Sequence, residues 1–197
     1  MERNAKLAYN LYHFSVTGEK LFDENELKPY MLNHCRFTLY RGLLLPTSEL
    51  KVGGVIEQWG ACSHWTANIH VALSFTKVCD KDGHIVQFGL GDLYSWQLRE
   101  GLNPLSKAVL RLQGAENVLP LGRFILRHSN DSEFAQFMKD NCVWDGFKNS
   151  LMDIIKEEEY SLFDYNFVIT SVEKFGDLWC VDVIQTPKTD KCREEML

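Results

Sequence analysis

The chain has 197 residues, of which 45% are hydrophobic and 24% charged, with a formal net charge of −6. That length suits one domain, or one domain with a helical extension, with its own core and no need of disulfides, and the acidic balance argues against a large sequence-independent nucleic-acid surface, though not against a local basic groove. No apolar run approaches the roughly 20 residues that span a bilayer, and Met1 to Lys6 are polar with no apolar segment following them, so a cytoplasmic protein without membrane attachment is expected. The six cysteines (Cys35, Cys62, Cys79, Cys142, Cys180, Cys192) form no CxxC pair. They read as reduced, small hydrophobic side chains. The histidines are scattered; His34 beside Cys35, and Cys62 near His64, are too little for a metal centre, and no metal is expected.

In chain order, Leu7, Leu11 and Phe14 recur at helical spacing, and a second helical segment is expected from about Asp23 to Asn33. Arg36 to Leu45, rich in aromatic and aliphatic residues and ended by Pro46, predicts a strand, and Gly53–Gly54 a turn. Asn68 has the character of a helix N-cap, with Ile69, Ala72 and Phe75 on one face of the helix that follows. His84 to Leu90 is a strand candidate, and Gly101 to Pro120 shows short apolar runs broken at Asn103–Pro104 and Gly114. Phe134, Phe137 and Met138 suggest one helix; Phe147, Leu151, Ile154 and Ile155 suggest another. Phe167, Ile169 and Val172, then Trp179, Val181 and Val183, predict two antiparallel strands joined at Gly176–Asp177, before a polar tail from Pro187 onward. Helices first and strands later, without βαβ regularity, predict an α+β fold.

Three segments carry chemistry. Leu39-Tyr40-Arg41-Gly42-Leu43 places an arginine after an aromatic residue on a strand. Ser63-His64-Trp65-Thr66-Ala67-Asn68 leads into a helix with Ala72 and Phe75. Glu157-Glu158-Glu159-Tyr160-Ser161-Leu162 precedes the strand Phe167 to Val172. In that order they resemble the three motifs of the R-S-E class of ADP-ribosyltransferases, the arginine-modifying type, and most closely the ModA/ModB group of T-even phages. The resemblance runs from about Thr38 to the C-terminal strand, convincing at the motifs and faint between them. The stretch from Val78 to Lys156 is longer than the spacing of small family members.

The residue types fit the chemistry. NAD carries a pyrophosphate, for which a guanidinium is a bidentate partner, so Arg41, with the adjoining backbone at Gly42, is the expected cofactor holder. The alternative for Arg41 is a surface salt bridge from an edge strand. Loss of nicotinamide leaves an oxocarbenium-like centre that a fixed carboxylate stabilises. The resemblance assigns this to Glu159, and assigns Glu157 to the acceptor. An arginine guanidinium stays protonated at ordinary pH and needs a carboxylate to orient it and take up a proton. If the segment is a strand, Glu157 and Glu159 share a face and Glu158 points away; alternatively the acidic run is the last turn of the preceding helix.

The second motif departs from the family pattern. Alignment on Trp65-Thr66 puts His64 at the motif serine, which in the family bonds the catalytic glutamate. A histidine N–H can donate the same bond and adds sensitivity to neutral pH; a one-residue bulge can instead bring Ser63 into place; or the site has decayed. Thr66 is expected to support the strand or the glutamate, and Trp65 to lie in the core or against the nicotinamide. Gly89-Leu90-Gly91 lacks the third glycine of a dinucleotide fingerprint.

The resemblance implies a single ADP-ribosyltransferase domain over 1–197, with a helical part at 1–35, a catalytic core at 36–186 and a flexible tail at 187–197. It implies a split antiparallel β-sandwich, two roughly perpendicular sheets with N-terminal helices and NAD as co-substrate between the sheets. The expected activity is transfer of ADP-ribose to an arginine of a target protein, in the phage case host transcription or translation machinery in the host-cell cytoplasm. An NAD-capped RNA is a conceivable co-substrate. The rivals are NAD hydrolysis and an inactive domain acting as a protein-binding module.

Overall fold

The computed structural model describes residues 2–58, 62–76, 105–141 and 146–188. The expected strand at His84–Leu90, the Gly89-Leu90-Gly91 segment, the Asn103–Pro104 turn and the end of the polar tail lie outside them. The chain divides into two compact units, one of Met1–Cys35 with Glu116–Leu162, the other of Arg36–Ala115 with Phe163–Leu197.

In the first unit, helix α1 (Glu2–Thr17) buries Leu7, Leu11 and Phe14, the stripe its spacing predicts, together with Ala8 and Tyr12. It stops at Gly18, whose positive φ of 76° and N–H to the Phe14 carbonyl (2.8 Å) make the left-handed cap that glycine adopts without strain. The helix expected over Asp23–Asn33 does not form. Asp23 instead caps a single 3-10 turn, Glu24–Glu26, through a reciprocal capping box with Glu26. A second turn, Lys28–Tyr30 with Pro29 at its second position, comes next, and strand β1 (Leu32–His34) follows. Pro29 has no N–H for a continuous helical ladder, and the fully buried Leu27 anchors the corner.

Strand β1 pairs antiparallel with β6 (Glu116–Leu119), and β6 with β7 (Glu159–Phe163). Helices α3 (Leu121–His128), α4 (Ser132–Asn141) and α5 (Gly146–Lys156) lie between β6 and β7 in the chain. The last two are the helices read from the apolar spacing. Helix α1 packs on α3 and α4, with Tyr9 stacked on Phe137 at 5.7 Å. Helix α3 approaches the corner between α5 and β7 so closely that a Cβ on Gly122 would stand 2.8 Å from the Ile154 carbonyl oxygen and 3.1 Å from the Glu159 nitrogen.

The second unit is built on a sheet in the order β4 (Cys62–Thr66), β2 (Leu39–Pro46), β5 (Leu105–Leu112), β9 (Leu178–Pro187), β8 (Tyr165–Phe175), β3 (Val55–Ile56). The β8–β9 hairpin turns at Gly176, as predicted, with φ of 63°. The sheet is not wholly antiparallel: β5 and β9 run parallel, from Lys107 opposite Leu178 to Leu112 opposite Val183. A parallel neighbour requires a long crossover, and more than half of the first unit's residues lie between these two strands in the sequence. Strand β5 lacks alternation because it is covered on both faces: Ala108, Val109, Leu110 and Leu112 are all buried.

Helix α2 (Ile69–Phe75) starts where expected, with the Asn68 side chain accepting the His70 N–H at 3.0 Å. Its apolar face is only partly covered: Ala72 is fully buried, while Ile69 and Phe75 are exposed. The helix packs against β2 at Gly42, where a Cβ would lie 1.7 Å from the Ala72 carbonyl oxygen, so no other residue fits without separating helix from strand.

Candidate active site

Strand β2 lies between β4 and β5, so Arg41 is not on an edge strand. Arg41 is half-buried. Its same-face neighbours along β2, two residues apart, are Leu39, Leu43 and Leu45, all buried. A guanidinium on an otherwise aliphatic face is uncommon enough to ask for a reason.

Tyr40 pairs with Thr66 across β2 and β4. Paired residues share a face and their chain neighbours take the other. Arg41 therefore shares a face with Trp65 and Ser63, without any bulge, while His64 lies on the opposite face with Tyr40, Gly42 and Thr66. Side-chain contacts agree with this alternation. The Trp65 indole N–H donates to Ser63 Oγ at 2.9 Å, and Cys62 Sγ meets His64 Nε2 at 3.4 Å. Ser63 is 0% exposed and Trp65 2%. Trp65 occupies the core, its ring 4.9 Å from that of Phe167 on β8. Thr66 Oγ1 accepts the Asn68 N–H at 3.0 Å, which ties the end of β4 to the start of α2. Gly42, expected near the cofactor, faces Ala72 of α2.

The third motif is local to the first unit and does not form the strand pair that alternation requires. Helix α5 continues to Lys156, and Glu157 still donates its N–H to the Asp153 carbonyl at 2.8 Å. Glu158 then takes a positive φ of 48°, and β7 begins only at Glu159. The shared-face argument for Glu157 and Glu159 is thus overturned: the helix ending, rather than strand pleating, sets the direction of Glu157. Two features of this corner cost stability. Acidic side chains meet the negative end of the helix dipole, and a non-glycine residue in the left-handed region carries about 1–2 kcal/mol of strain. Glu159 is 9% exposed, buried for a carboxylate. Beside it, burial raises the Tyr160 hydroxyl above its ordinary range, against the lowering effect of Arg123.

One further charged pair was not legible in the sequence. Arg111 on β5 holds Asp182 on β9 through two bonds, Nε to Oδ1 at 2.7 Å and Nη2 to Oδ2 at 2.9 Å. This hydrogen bonding keeps the guanidinium above its ordinary range. The partners are adjacent only because β5 and β9 run parallel, a pairing that no local pattern announces. Among the described residues no group of His, Cys, Asp and Glu is arranged to hold a metal ion, and no helix is long and apolar enough to cross a membrane.

No protein-family model matches the chain, and no curated protein sequence is significantly similar to it. Solved structures do match. The ADP-ribosyltransferase Vis in complex with the M6 inhibitor superposes with a TM-score of 0.50 at 15% identity, over 93% of this chain and 72% of that one. The Vis toxin, an ADP-ribosyltransferase from Vibrio splendidus, gives 0.49 at 15% identity, over 93% and 73%. At this identity the likeness concerns architecture. N-terminal helices, the described mixed sheet and the first of these superpositions together give the chain an ADP-ribosyltransferase-like α+β fold.

Proposed function

We propose that the chain is an NAD-dependent mono-ADP-ribosyltransferase that modifies arginine on a target protein. The observation that carries this reading is the placement of Arg41 and Ser63 on one face of the adjacent strands β2 and β4, on a fold of the ADP-ribosyltransferase type. Arg41 holds the pyrophosphate, with bidentate geometry available to its guanidinium. Glu159 stabilises the positive charge that develops as the nicotinamide–ribose bond breaks. Glu157 orients the acceptor guanidinium and takes up its proton as the new C–N bond forms. The strained corner at Glu157–Glu159, with Glu158 at a positive φ, supports this reading, since backbone strain clusters at functional segments.

Ser63 is better suited than His64 to the motif-serine role, because it shares the Arg41 face without a bulge. That placement favours an intact site over the decayed-site alternative, which drew on His64 standing in that position. Trp65 serves in the core, and Gly42 acts through the close approach of β2 and α2. The target protein, by the ModA/ModB likeness, belongs to a host cell's transcription or translation machinery, with an NAD-capped RNA as a further acceptor to test and the host cytoplasm as the setting.

The test is incubation of the chain with labelled NAD and host-cell lysate, beside Glu159→Ala and Glu157→Gln. Discrete labelled protein bands that vanish with Glu159→Ala establish a transferase. Glu157→Gln is expected to lose labelled protein while still releasing nicotinamide. Nicotinamide release by the wild type without labelled protein indicates a hydrolase. Absence of both release and NAD binding by calorimetry overturns the assignment.

A further inference from the structure

We infer that Trp65 is a positioning residue for Ser63, acting through its indole N–H; this deepens the transferase reading and rests on it. An indole nitrogen is a donor only, so the 2.9 Å bond from Trp65 Nε1 fixes Ser63 Oγ as its acceptor. The serine's single hydroxyl proton is then left to donate elsewhere. Both groups are buried, Ser63 fully. A fully buried hydroxyl otherwise rotates among whatever acceptors lie near it, and an immobile donor on one lone pair restricts that choice. Trp65 is in turn held by ring packing against Phe167, 4.9 Å away at an interplanar angle of 55°, and by its place in β4 between His64 and Thr66. The ring that fills the core thus also restricts the direction of the Ser63 hydroxyl, occupying one lone pair and leaving its proton to be donated.

A purely packing tryptophan predicts different behaviour from a positioning one. The experiment compares wild type, Trp65→Phe, Ser63→Ala and the double variant, reading kcat and KM for NAD in nicotinamide release, with melting temperature alongside. Trp65→Phe keeps an aromatic ring against Phe167 and removes the N–H. It is expected to lower kcat about 3- to 10-fold, the scale of one neutral hydrogen bond, with KM for NAD unchanged. In the Ser63→Ala background the same change is expected to leave kcat within about twofold, because its partner is gone. In 15N-labelled protein, Ser63→Ala is expected to speed hydrogen exchange at the Trp65 indole N–H, a reading that holds even where Trp65→Phe fails to fold. Full kcat in Trp65→Phe, an equal further loss in the Ser63→Ala background, or unchanged indole exchange overturns the role of Trp65 alone. A wild-type chain that releases no nicotinamide overturns the transferase reading and this role with it.

Discussion

The second and third motifs sit on opposite kinds of local structure, although both contain charged or polar residues two positions apart. Cys62–Thr66 is a regular strand, so pleating decides which side chains share a face, and both intrastrand contacts, Trp65 to Ser63 and Cys62 to His64, obey the period of two. Glu157–Glu159 crosses from a helix end through a left-handed residue to a strand start, so the same spacing carries no shared face. Identical spacing has a definite geometric meaning only after the secondary structure is known.

The sharpest way to break this comparison is to separate the two faces of β4. On the proposed reading, Ser63→Ala is expected to lower kcat for nicotinamide release about 10- to 100-fold, the scale of one charge-assisted hydrogen bond at roughly 1.5–3 kcal/mol. His64→Ala is expected to change kcat by less than about threefold. Steady-state kinetics on the pair checks the assignment, and the reverse ranking would place the motif role on the α2 side of the strand.

Next in size is the helix–strand contact on that other side. Gly42→Ala puts a methyl group 1.7 Å from the Ala72 carbonyl oxygen, and overpacking of this kind costs about 1–3 kcal/mol or more. Denaturant unfolding should show a lowered midpoint. Wild-type stability in Gly42→Ala would mean that α2 does not pack on β2 in solution.

The corner of the third motif predicts a gain rather than a loss. Glu158→Gly relieves the positive φ of 48° and removes an acidic side chain from the negative end of α5. Greater unfolded-chain freedom of glycine offsets part of this, leaving a stabilisation on the order of 0.5–1 kcal/mol. Thermal unfolding reads it directly; a destabilised variant would show that the Glu158 side chain makes contacts outweighing the strain.

The smallest effect concerns the β8–β9 hairpin. The bond and charge of Lys107, at 2.7 Å, lower the Asp177 carboxyl from its ordinary value. A carboxyl lowered on folding favours the native state above its unfolded pKa, and that contribution disappears as the pH falls through the folded value. Asp177 is largely exposed and Lys107 partly so, and screening keeps the effect slight. Comparing acid unfolding of wild type and Asp177→Asn is expected to show a difference near neutral pH that closes in acid and shrinks with salt.

Helix α1, the Asn68 cap of α2, helices α4 and α5, and the β8–β9 hairpin were all legible because each is fixed by contacts close in sequence: a 3.6-residue stripe, a side chain capping its own helix, a glycine in a tight turn. The three segments behind the proposed motifs stand out for a related reason, since a resemblance is carried by short strings. Residues 23–33 misled because one apolar spacing suits either a helix or two short 3-10 turns, and Pro29 with the Asp23 box decided between them. Strand β5 gave no clear pattern because burial on both faces erases alternation. The Arg111–Asp182 pair, the parallel β5–β9 register and the face shared by Arg41 and Ser63 belong to the tertiary structure, because each depends on which distant strands become neighbours. The sequence by itself determined which residue types are available, and only the folded sheet decided whether Ser63 or His64 shares the face of Arg41, since register is set by long-range packing rather than by any local preference.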